Sequence, residues 1–172
     1  MVSPKEKSHK YNIEDIFVDM RNMAFNVNPT TDLNIKKEKQ NQIYGIFMET
    51  GYDDYIISLR CFAEGSISIY LSNGGGIIGI GEHEIARKTG LDFIKEANNY
   101  LAKSKLTTDY GLPNPGKTIF YILTFDGIFT YMETENDLEN EKSDFSPLFF
   151  KAQDVITQAR IIDENRSEDA PL

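Results

Sequence analysis

The chain has 172 residues and a formal net charge of −9 at pH 7. Its length suits one domain with a core of its own, and its composition, 40% hydrophobic and 26% charged, is typical of a folded protein. The single cysteine, Cys61, excludes an internal disulfide and a multi-cysteine metal site, and no apolar run approaches the length of a membrane span. We therefore expect a cytoplasmic protein that does not contact a membrane.

The first half of the chain predicts one helix followed by three strands. Asn12 can cap a helix, and the apolar residues from Ile13 to Phe25 recur at helical spacing. Residues 26–41 are polar and lack a period, which indicates a connector. Three stretches with strand character follow, and their short links predict a meander. The first of them is apolar on both faces, which favours a central position in the sheet. The predicted strands are Gln42–Thr50, Tyr55–Phe62 and Ile67–Leu71.

The second half predicts a long helix, a hairpin and a final helix. A glycine-rich segment, residues 72–81, separates it from the meander. The Asp126-Gly127 pair between two β-forming stretches is the strongest hairpin signal in the chain. Ser146-Pro147 is a typical helix start. The predicted elements are a helix from Glu82 to Ser104, strands Lys117–Phe125 and Ile128–Met132, and a helix from Ser146 to Ile162.

These elements give the order α–βββ–α–ββ–α. We expect one α+β domain over residues 11–162, between a flexible arm (residues 1–10) and a disordered acidic tail (residues 163–172). It would hold a five-stranded antiparallel sheet with helices on both faces, the middle helix on one and the two terminal helices on the other. The order resembles the profilin-like and longin-like folds. Their first and last strands are central, and they mostly serve as binding and regulatory modules.

Three stretches of the chain also carry a family resemblance. They are LSNGGGIIGIGEHE (Leu71–Glu84), GKTIFYILTFDGIFT (Gly116–Thr130) and SPLFFKAQDVIT (Ser146–Thr157). With the spacing between them, they cover residues 42–162 and resemble an uncharacterised family of small bacterial cytosolic proteins. Because no activity is established for that family, the resemblance implies no substrate, cofactor or catalytic residue.

The acidic residues are concentrated in two segments. Residues 132–144 carry six acidic side chains and one lysine, and residues 163–172 carry four acidic side chains and one arginine, so the rest of the chain is almost neutral. No cluster of Lys and Arg is present, and nucleic acid is therefore not an expected partner. An acidic segment can dock on a basic protein, but it can equally be a solvated connection. The candidate contact residues are Glu133, Glu135, Asp137 and Glu139.

The glycine-rich segment is the other candidate binding site. Gly74, Gly76 and Gly79 fit G-x-G-x-x-G between a strand and a helix, a pattern in which backbone N–H groups hold a phosphate. A meander precedes these glycines instead of a βαβ unit, glutamates follow them, and no lysine lies among them, which all weigh against phosphate. A flexible crossover, or a loop that contacts a small ligand or a peptide, stays open. The candidate residues are Gly74, Gly75, Gly76, Gly79, Gly81 and His83.

The sequence contains no recognisable catalytic or metal-binding set. Glu82, His83 and Glu84 are adjacent, and neighbours on a helix diverge by about 100°, so these three cannot converge on one ion. Cys61 lies on an alternating strand and is best explained as a small core residue. His9 and His83 are the only two histidines, and no G-x-S-x-G motif is present. We therefore expect no cofactor, no metal and no enzymatic activity.

Three functions stay open. The first is a non-enzymatic protein-interaction or regulatory module that contacts another protein through the glycine-rich segment and residues 132–144. The second is an acidic immunity-type inhibitor that docks on a basic toxin through residues 132–144. The third is a small-ligand or nucleotide-binding protein that uses the Gly74–Gly81 loop. An edge strand could also pair with a second copy, which would give a homodimer.

Overall fold

The computed structural model describes residues 10–169 of the chain. It contains four α-helices and seven strands within that range. Most of the predicted flexible arm, residues 1–9, lies outside the described residues, as do residues 170–172. In chain order the elements are α1 (Asp15–Phe25), β1 (Ile43–Gly51), β2 (Ile56–Phe62), β3 (Ile67–Leu71), β4 (Gly76–Ile77), α2 (Glu84–Ala97), β5 (Lys105–Thr107), β6 (Lys117–Thr124), β7 (Gly127–Thr134), α3 (Glu135–Glu139) and α4 (Ser146–Glu168).

The strands form a single antiparallel sheet in the order β4-β3-β2-β1-β6-β7-β5. The α+β class and the antiparallel sheet are confirmed, but the predicted number of five strands is wrong. The five expected strands are present, and a short strand, β4 or β5, is added at each edge. Two or three residues are too few to show the alternation from which strands are predicted. Among the described residues, strand β5 pairs only with Ile128–Thr130 of β7, and a homodimer through an edge strand stays a prediction.

Strand β1 is central, as its apolar pattern predicts. It pairs with β2 on one side and β6 on the other, and all nine of its residues are buried. The last strand, β7, lies between β6 and β5 instead of beside β1. The strand order therefore differs from the one that the profilin-like and longin-like resemblance implies.

Helices α2 and α4 pack together on one face of the sheet, and α1 lies on the other. The expected layout, with both terminal helices on one face, is wrong. The reason is that residues assigned to connectors already help α1 to cover its face, namely Val27, Leu33, Ile35 and Tyr110. The apolar stripe of α4 is instead buried against α2 and the sheet. The core on that face includes Ile46, Leu59, Phe93, Phe120, Phe149 and Val155.

The last helix is longer than its apolar stripe. It continues to Glu168, so residues 163–168 are helical where a disordered tail was expected. Arg166, in its last turn, donates hydrogen bonds to the carbonyl oxygens of Ile78 (2.8 Å) and Gly79 (3.4 Å). The end of α4 is thereby attached to the glycine-rich segment. Among residues 10–169, no helix combines the length and the apolar composition needed to cross a membrane.

Candidate functional site

The first glycines of the glycine-rich segment form a hairpin turn. Gly74 N–H donates to the carbonyl of Leu71, and Leu71 N–H donates to that of Gly75, both at 3.1 Å. Gly74 and Gly75 have φ values of +107° and +89°, which other residues rarely adopt. At Gly76, a Cβ would overlap the carbonyl oxygen of Ile69 on the paired strand. Gly76 belongs to strand β4, and a 3-10 turn, Ile80–Glu82, separates Gly79 from α2. The α-helix that a phosphate-binding G-x-G-x-x-G requires therefore does not begin directly after these glycines.

The remaining candidates of this segment lie between the hairpin and α2. Gly79 has a φ of +70° and precedes a single 3-10 turn, Ile80–Glu82. Gly81 is buried so closely on Gly65 that a Cβ would overlap the Gly65 carbonyl oxygen. His83 is exposed at the start of α2, and its side chain makes no capping hydrogen bond. The glycines are therefore explained by turns and close packing.

An open groove lies beside α1 on the face of the sheet that α1 covers. It consists of three adjoining hollows, of about 500, 460 and 240 Å³, that share Tyr70 as a lining residue. We call it the Tyr70 groove. Helix α1 buries Phe17, Ala24 and Phe25 against the sheet but leaves Tyr70 only half-buried. Its lining includes Ile16, Met20 and Met23 of α1, Phe62 and Ser68 of the sheet, and Gly75, Gly76, Ile78, Gly79 and Gly81 of the glycine-rich segment.

Two of the three hollows are lined mainly by apolar residues, whereas the 460 Å³ hollow also includes the charged residues Glu64, Glu82 and Arg87. Ile16 is 61% exposed, Met23 66% and Ile78 64%. Single exposed apolar residues are ordinary on a protein surface, but a group of them around a concave site marks a place where something binds. Sequence reasoning found the glycines on one wall. It missed the aromatic floor and the methionines, because they come from elements that are far apart in the chain.

A buried charged network lies under the groove. Glu49 of β1 is fully buried, and Arg21 of α1 donates to both of its carboxylate oxygens, from Nε at 2.9 Å and from Nη2 at 2.8 Å. Ser58 donates to the same carboxylate at 3.0 Å. Arg60, only 2% exposed, donates from Nε to the Ser58 hydroxyl (3.1 Å) and from Nη1 to the Met20 carbonyl (2.8 Å). This network joins α1 to β1 and β2.

The two arginines of the network are not equally paired. Burial works against the charge of Arg21, yet its hydrogen bonds to Glu49 raise its pKa above the ordinary value. In the part of the chain that the structure describes, Arg60 bonds to the Ser58 hydroxyl and the Met20 carbonyl and to no carboxylate. Burial lowers the pKa of Arg60 to about 10. Its Nη2 is buried and has no hydrogen-bond partner among residues 10–169. The network thus contains two buried guanidinium groups but one carboxylate, which Arg21 alone binds directly, and it carries an excess of one positive charge.

The acidic segment is not the open loop that the sequence suggested. Glu133, the last residue but one of β7, accepts hydrogen bonds from the Tyr131 hydroxyl (3.1 Å) and the Thr134 N–H (2.9 Å). Residues 135–139 form α3, which the Thr134 hydroxyl caps by accepting from the Asp137 N–H at 3.1 Å. Leu138, the one apolar residue of α3, is fully buried and holds this short helix on the core.

Helix α3 brings acidic residues from two parts of the chain together. Glu135 accepts a hydrogen bond from the Tyr52 hydroxyl at 2.9 Å and lines a shallow hollow of about 450 Å³ with Asp53 and Asp54. Burial raises the pKa of Glu135; the Tyr52 hydrogen bond opposes that effect, and the charge of Glu139 adds to it. Sequence reasoning placed Glu133, Glu135 and Glu139 in one acidic segment but did not connect them with the turn that follows β1.

Cys61 and His83 lie in different environments. Cys61 is completely buried in the core between the sheet and α2, and burial raises the pKa of its thiol. His83 is exposed at the start of α2. Cys61 is therefore a core residue, as its position on an alternating strand indicates. Within residues 10–169, His, Cys, Asp and Glu form no group of three or more that could hold a metal ion.

Comparison with known proteins finds no family, no curated protein and no solved structure that the chain matches. The resemblance to an uncharacterised bacterial family stays a prediction. Any proposal about function therefore rests on the geometry of the Tyr70 groove, the buried network and the acidic hollow.

The unequal pairing of the two arginines predicts unequal costs of mutation. Glu49→Gln should lower the free energy of unfolding by about 3–5 kcal/mol, because it leaves two buried cations without a carboxylate. Arg60→Met should change it by less than about 1.5 kcal/mol, because it removes the excess charge, keeps the Arg21–Glu49 pair and places a flexible apolar side chain among the rings. Urea denaturation of both variants measures the difference. Equal destabilisation would contradict this assignment of charges.

The raised pKa of Glu135 predicts a pH-dependent gain in stability on its neutralisation. Because the pKa of Glu135 is higher in the folded than in the unfolded chain, its stabilising contribution is full at low pH and is lost as the pH rises through the folded pKa. Glu135→Gln keeps an oxygen acceptor for Tyr52 and cannot ionise. It should be more stable than wild type at about pH 7, by less than about 1 kcal/mol, and show no gain at about pH 3.5.

Thermal unfolding of both proteins at the two pH values measures this effect. Glu141→Gln, at an exposed position of the same segment, controls for the loss of one negative charge. A gain that is as large for Glu141→Gln, or that persists at about pH 3.5, would show that the surroundings of Glu135 are not its cause.

Proposed function

We propose that the protein is a non-enzymatic binding module and that the Tyr70 groove is its binding surface. The observation that carries this proposal is the group of exposed apolar side chains around a concave aromatic floor. The hollows of 240 to about 500 Å³ are close to the size range of small-molecule sites. The groove lies on a sheet whose central strand is entirely buried, and binding residues on a rigid scaffold need little reorganisation. We further propose that the protein acts in the cytoplasm, where a single reduced cysteine is ordinary.

The glycine-rich segment has an indirect part in this proposal. Gly75, Gly76, Gly79 and Gly81 line the Tyr70 groove, so a ligand there would pass along their backbone. Because glycine has no side chain, these residues leave that side of the groove open. The glycines would shape the site, whereas Tyr70 and the apolar residues of α1 would supply most of the contact area.

The acidic hollow favours a second candidate function, docking on a basic protein such as a toxin. Asp53, Asp54 and Glu135 converge there, and Glu139 is near enough to raise the pKa of Glu135. Repulsion between these carboxylates would be relieved by a cationic partner, and complementary charge speeds and orients such docking. This is the surface with which an immunity-type inhibitor would act. The Tyr70 groove remains the better candidate, because its exposed apolar area can give affinity that does not depend on charge.

The groove proposal predicts that a neutral apolar dye binds beside Met23. N-phenyl-naphthylamine fluoresces when it enters an apolar site, and its fluorescence should rise on addition of wild-type protein. Met23→Ser should weaken dye binding by about fivefold or more, since burial of one large apolar side chain is worth about 1.5–3 kcal/mol. Ser68→Phe, which fills the groove from β3, should weaken it further.

Met132→Ser is the matched control for this experiment. Met132 is 57% exposed, close to the 66% of Met23, but it lies on β7, outside the Tyr70 groove. The Met132→Ser variant should bind the dye as tightly as wild type does. Dye binding that is reduced equally by Met23→Ser and Met132→Ser, or left unchanged by Ser68→Phe, would place the apolar site elsewhere.

A further inference from the structure

The excess positive charge under the Tyr70 groove has no structural explanation within residues 10–169. A buried guanidinium normally finds partners for all its N–H groups, because an unpaired one costs its full desolvation energy. Arg60 satisfies Nε and Nη1 with neutral oxygens, and its Nη2 has no partner among the described residues. The nearest carboxylate, that of Glu49, is already bound by Arg21 and Ser58.

The aromatic rings around Arg60 do not replace the missing partner. The Cζ atom of Arg60 lies 4.4 Å from the centre of the Tyr70 ring, so the guanidinium is in contact with an aromatic π-system. A cation–π contact attracts the positive charge to the ring but offers no oxygen or nitrogen acceptor to an N–H group. The Tyr70 contact therefore stabilises the charge in part and leaves the Nη2 hydrogens unmatched.

Arg60 lines the largest hollow of the Tyr70 groove, of about 500 Å³. Most of the other lining residues are apolar, and Met20, Met23 and Phe62 are the largest of those besides Tyr70. Asp32 is the single acidic residue of this hollow, and its carboxylate already accepts from the Asn28 N–H (2.8 Å) and the Thr31 hydroxyl (3.1 Å). A buried cation thus lies at an apolar, concave surface.

We propose that the Tyr70 groove binds a small amphiphilic anion, whose carboxylate or phosphate oxygen accepts a hydrogen bond from Nη2 of Arg60 and whose apolar body lies against Met20, Met23 and Phe62. This proposal rests on the proposed function and names the class of ligand. The anion would neutralise the excess charge of the network and complete the hydrogen bonds of the guanidinium. Charge-assisted hydrogen bonds of this kind are stronger than those between neutral groups.

Binding of this kind requires a small movement, because Nη2 of Arg60 is buried in the absence of a ligand. Met20 and Met23 are unbranched, and such side chains change rotamer at little cost. Displacement of one methionine towards the open side of the groove would admit the head group. Met23, which is largely exposed, has room to move.

Titration calorimetry with three eight-carbon probes tests the proposal. The probes are octanoate, octyl phosphate and 1-octanol, and the proteins are wild type, Arg60→Met, Ser68→Phe and Arg160→Met. Arg160 is exposed on α4, outside the groove, so Arg160→Met removes the same charge without touching the site. Circular dichroism checks that each variant is folded, and Arg60→Lys, which keeps the charge but not the forked donors, is the second variant if Arg60→Met does not fold.

We expect wild type and Arg160→Met to bind at least one of the two anions about tenfold or more tightly than octanol, the effect of one charge-assisted hydrogen bond. Arg60→Met should bind that anion no more tightly than octanol, and Arg60→Lys should lose most of the preference. Ser68→Phe should weaken all three probes. A preference for octanoate over octyl phosphate, or the reverse, identifies the head group.

The failures of the two proposals are distinguishable. If wild type binds octanol and both anions equally, and Ser68→Phe weakens them all, the groove is a binding site but the role of Arg60 is overturned. If the preference for an anion survives in Arg60→Met, another cation provides it, and the proposal is again overturned. If Ser68→Phe changes no affinity, or wild type binds none of the probes, the Tyr70 groove is not the site and both proposals fail.

Discussion

The carboxylate of Glu49 is the contact on which the candidate site depends. It lies on the central strand, β1, and is held by Arg21 of α1 and Ser58 of β2. Arg21 also donates to the carbonyl oxygen of Gly111 at 3.1 Å, so the segment between β5 and β6 is attached to the same point. A buried ion pair adds little net stability, because desolvation offsets the attraction, but its geometry is specific. Glu49 therefore fixes where α1 lies on the sheet and, with it, the position of the Tyr70 groove.

The same constraint explains the state of Arg60. Once Arg21 occupies both oxygens of Glu49, Arg60 is left with neutral acceptors and aromatic faces. A purely structural role would be better filled by an apolar residue of similar size, since an unpaired buried charge is costly. Proteins tend to keep such strained or unsatisfied groups where they bind something. The proposed anion would account both for the energetic cost of Arg60 and for the open groove above it.

Much of the fold could be predicted from sequence because its main elements are long enough to show a period. Strands β1, β2, β3, β6 and β7 and helices α1, α2 and α4 are all present. Helix α2, however, ends at Ala97 and not at the predicted Ser104, because a 3-10 helix, Asn98–Lys103, follows it. The placement of α4 could not be predicted, because it depends on which face the irregular residues 26–35 cover. The short strands β4 and β5 and the helix α3 carry too few residues to produce a pattern. The C-terminal end of α4 was predicted from its last apolar residue, Ile162. The helix continues to Glu168, where Arg166 contacts the glycine-rich segment through a polar bond that no apolar pattern predicts.

The candidate site was less accessible to sequence reasoning than the fold. The alternation in β2 placed Ser58 and Arg60 together on one face, which is the pattern of a half-buried strand, yet both are buried. The one signal was Glu49, a charged residue near the end of a strand that is apolar on both faces and must therefore be covered. Its partners could not be identified, because Arg21 is 28 residues away and only the packing of α1 brings it there. The glycines were correctly noticed, but hairpin geometry accounts for their conformations.

A crystal structure of the protein grown with octanoate tests the central claim most directly. The account predicts a carboxylate oxygen at about 3 Å from Nη2 of Arg60, with the alkyl chain against Met20 and Met23. The Arg21–Glu49 pair should be unchanged, because it is complete without a ligand. The account would be contradicted if Nη2 were bonded to a protein oxygen, or to ordered water that octanoate does not displace, while the Tyr70 groove remained empty.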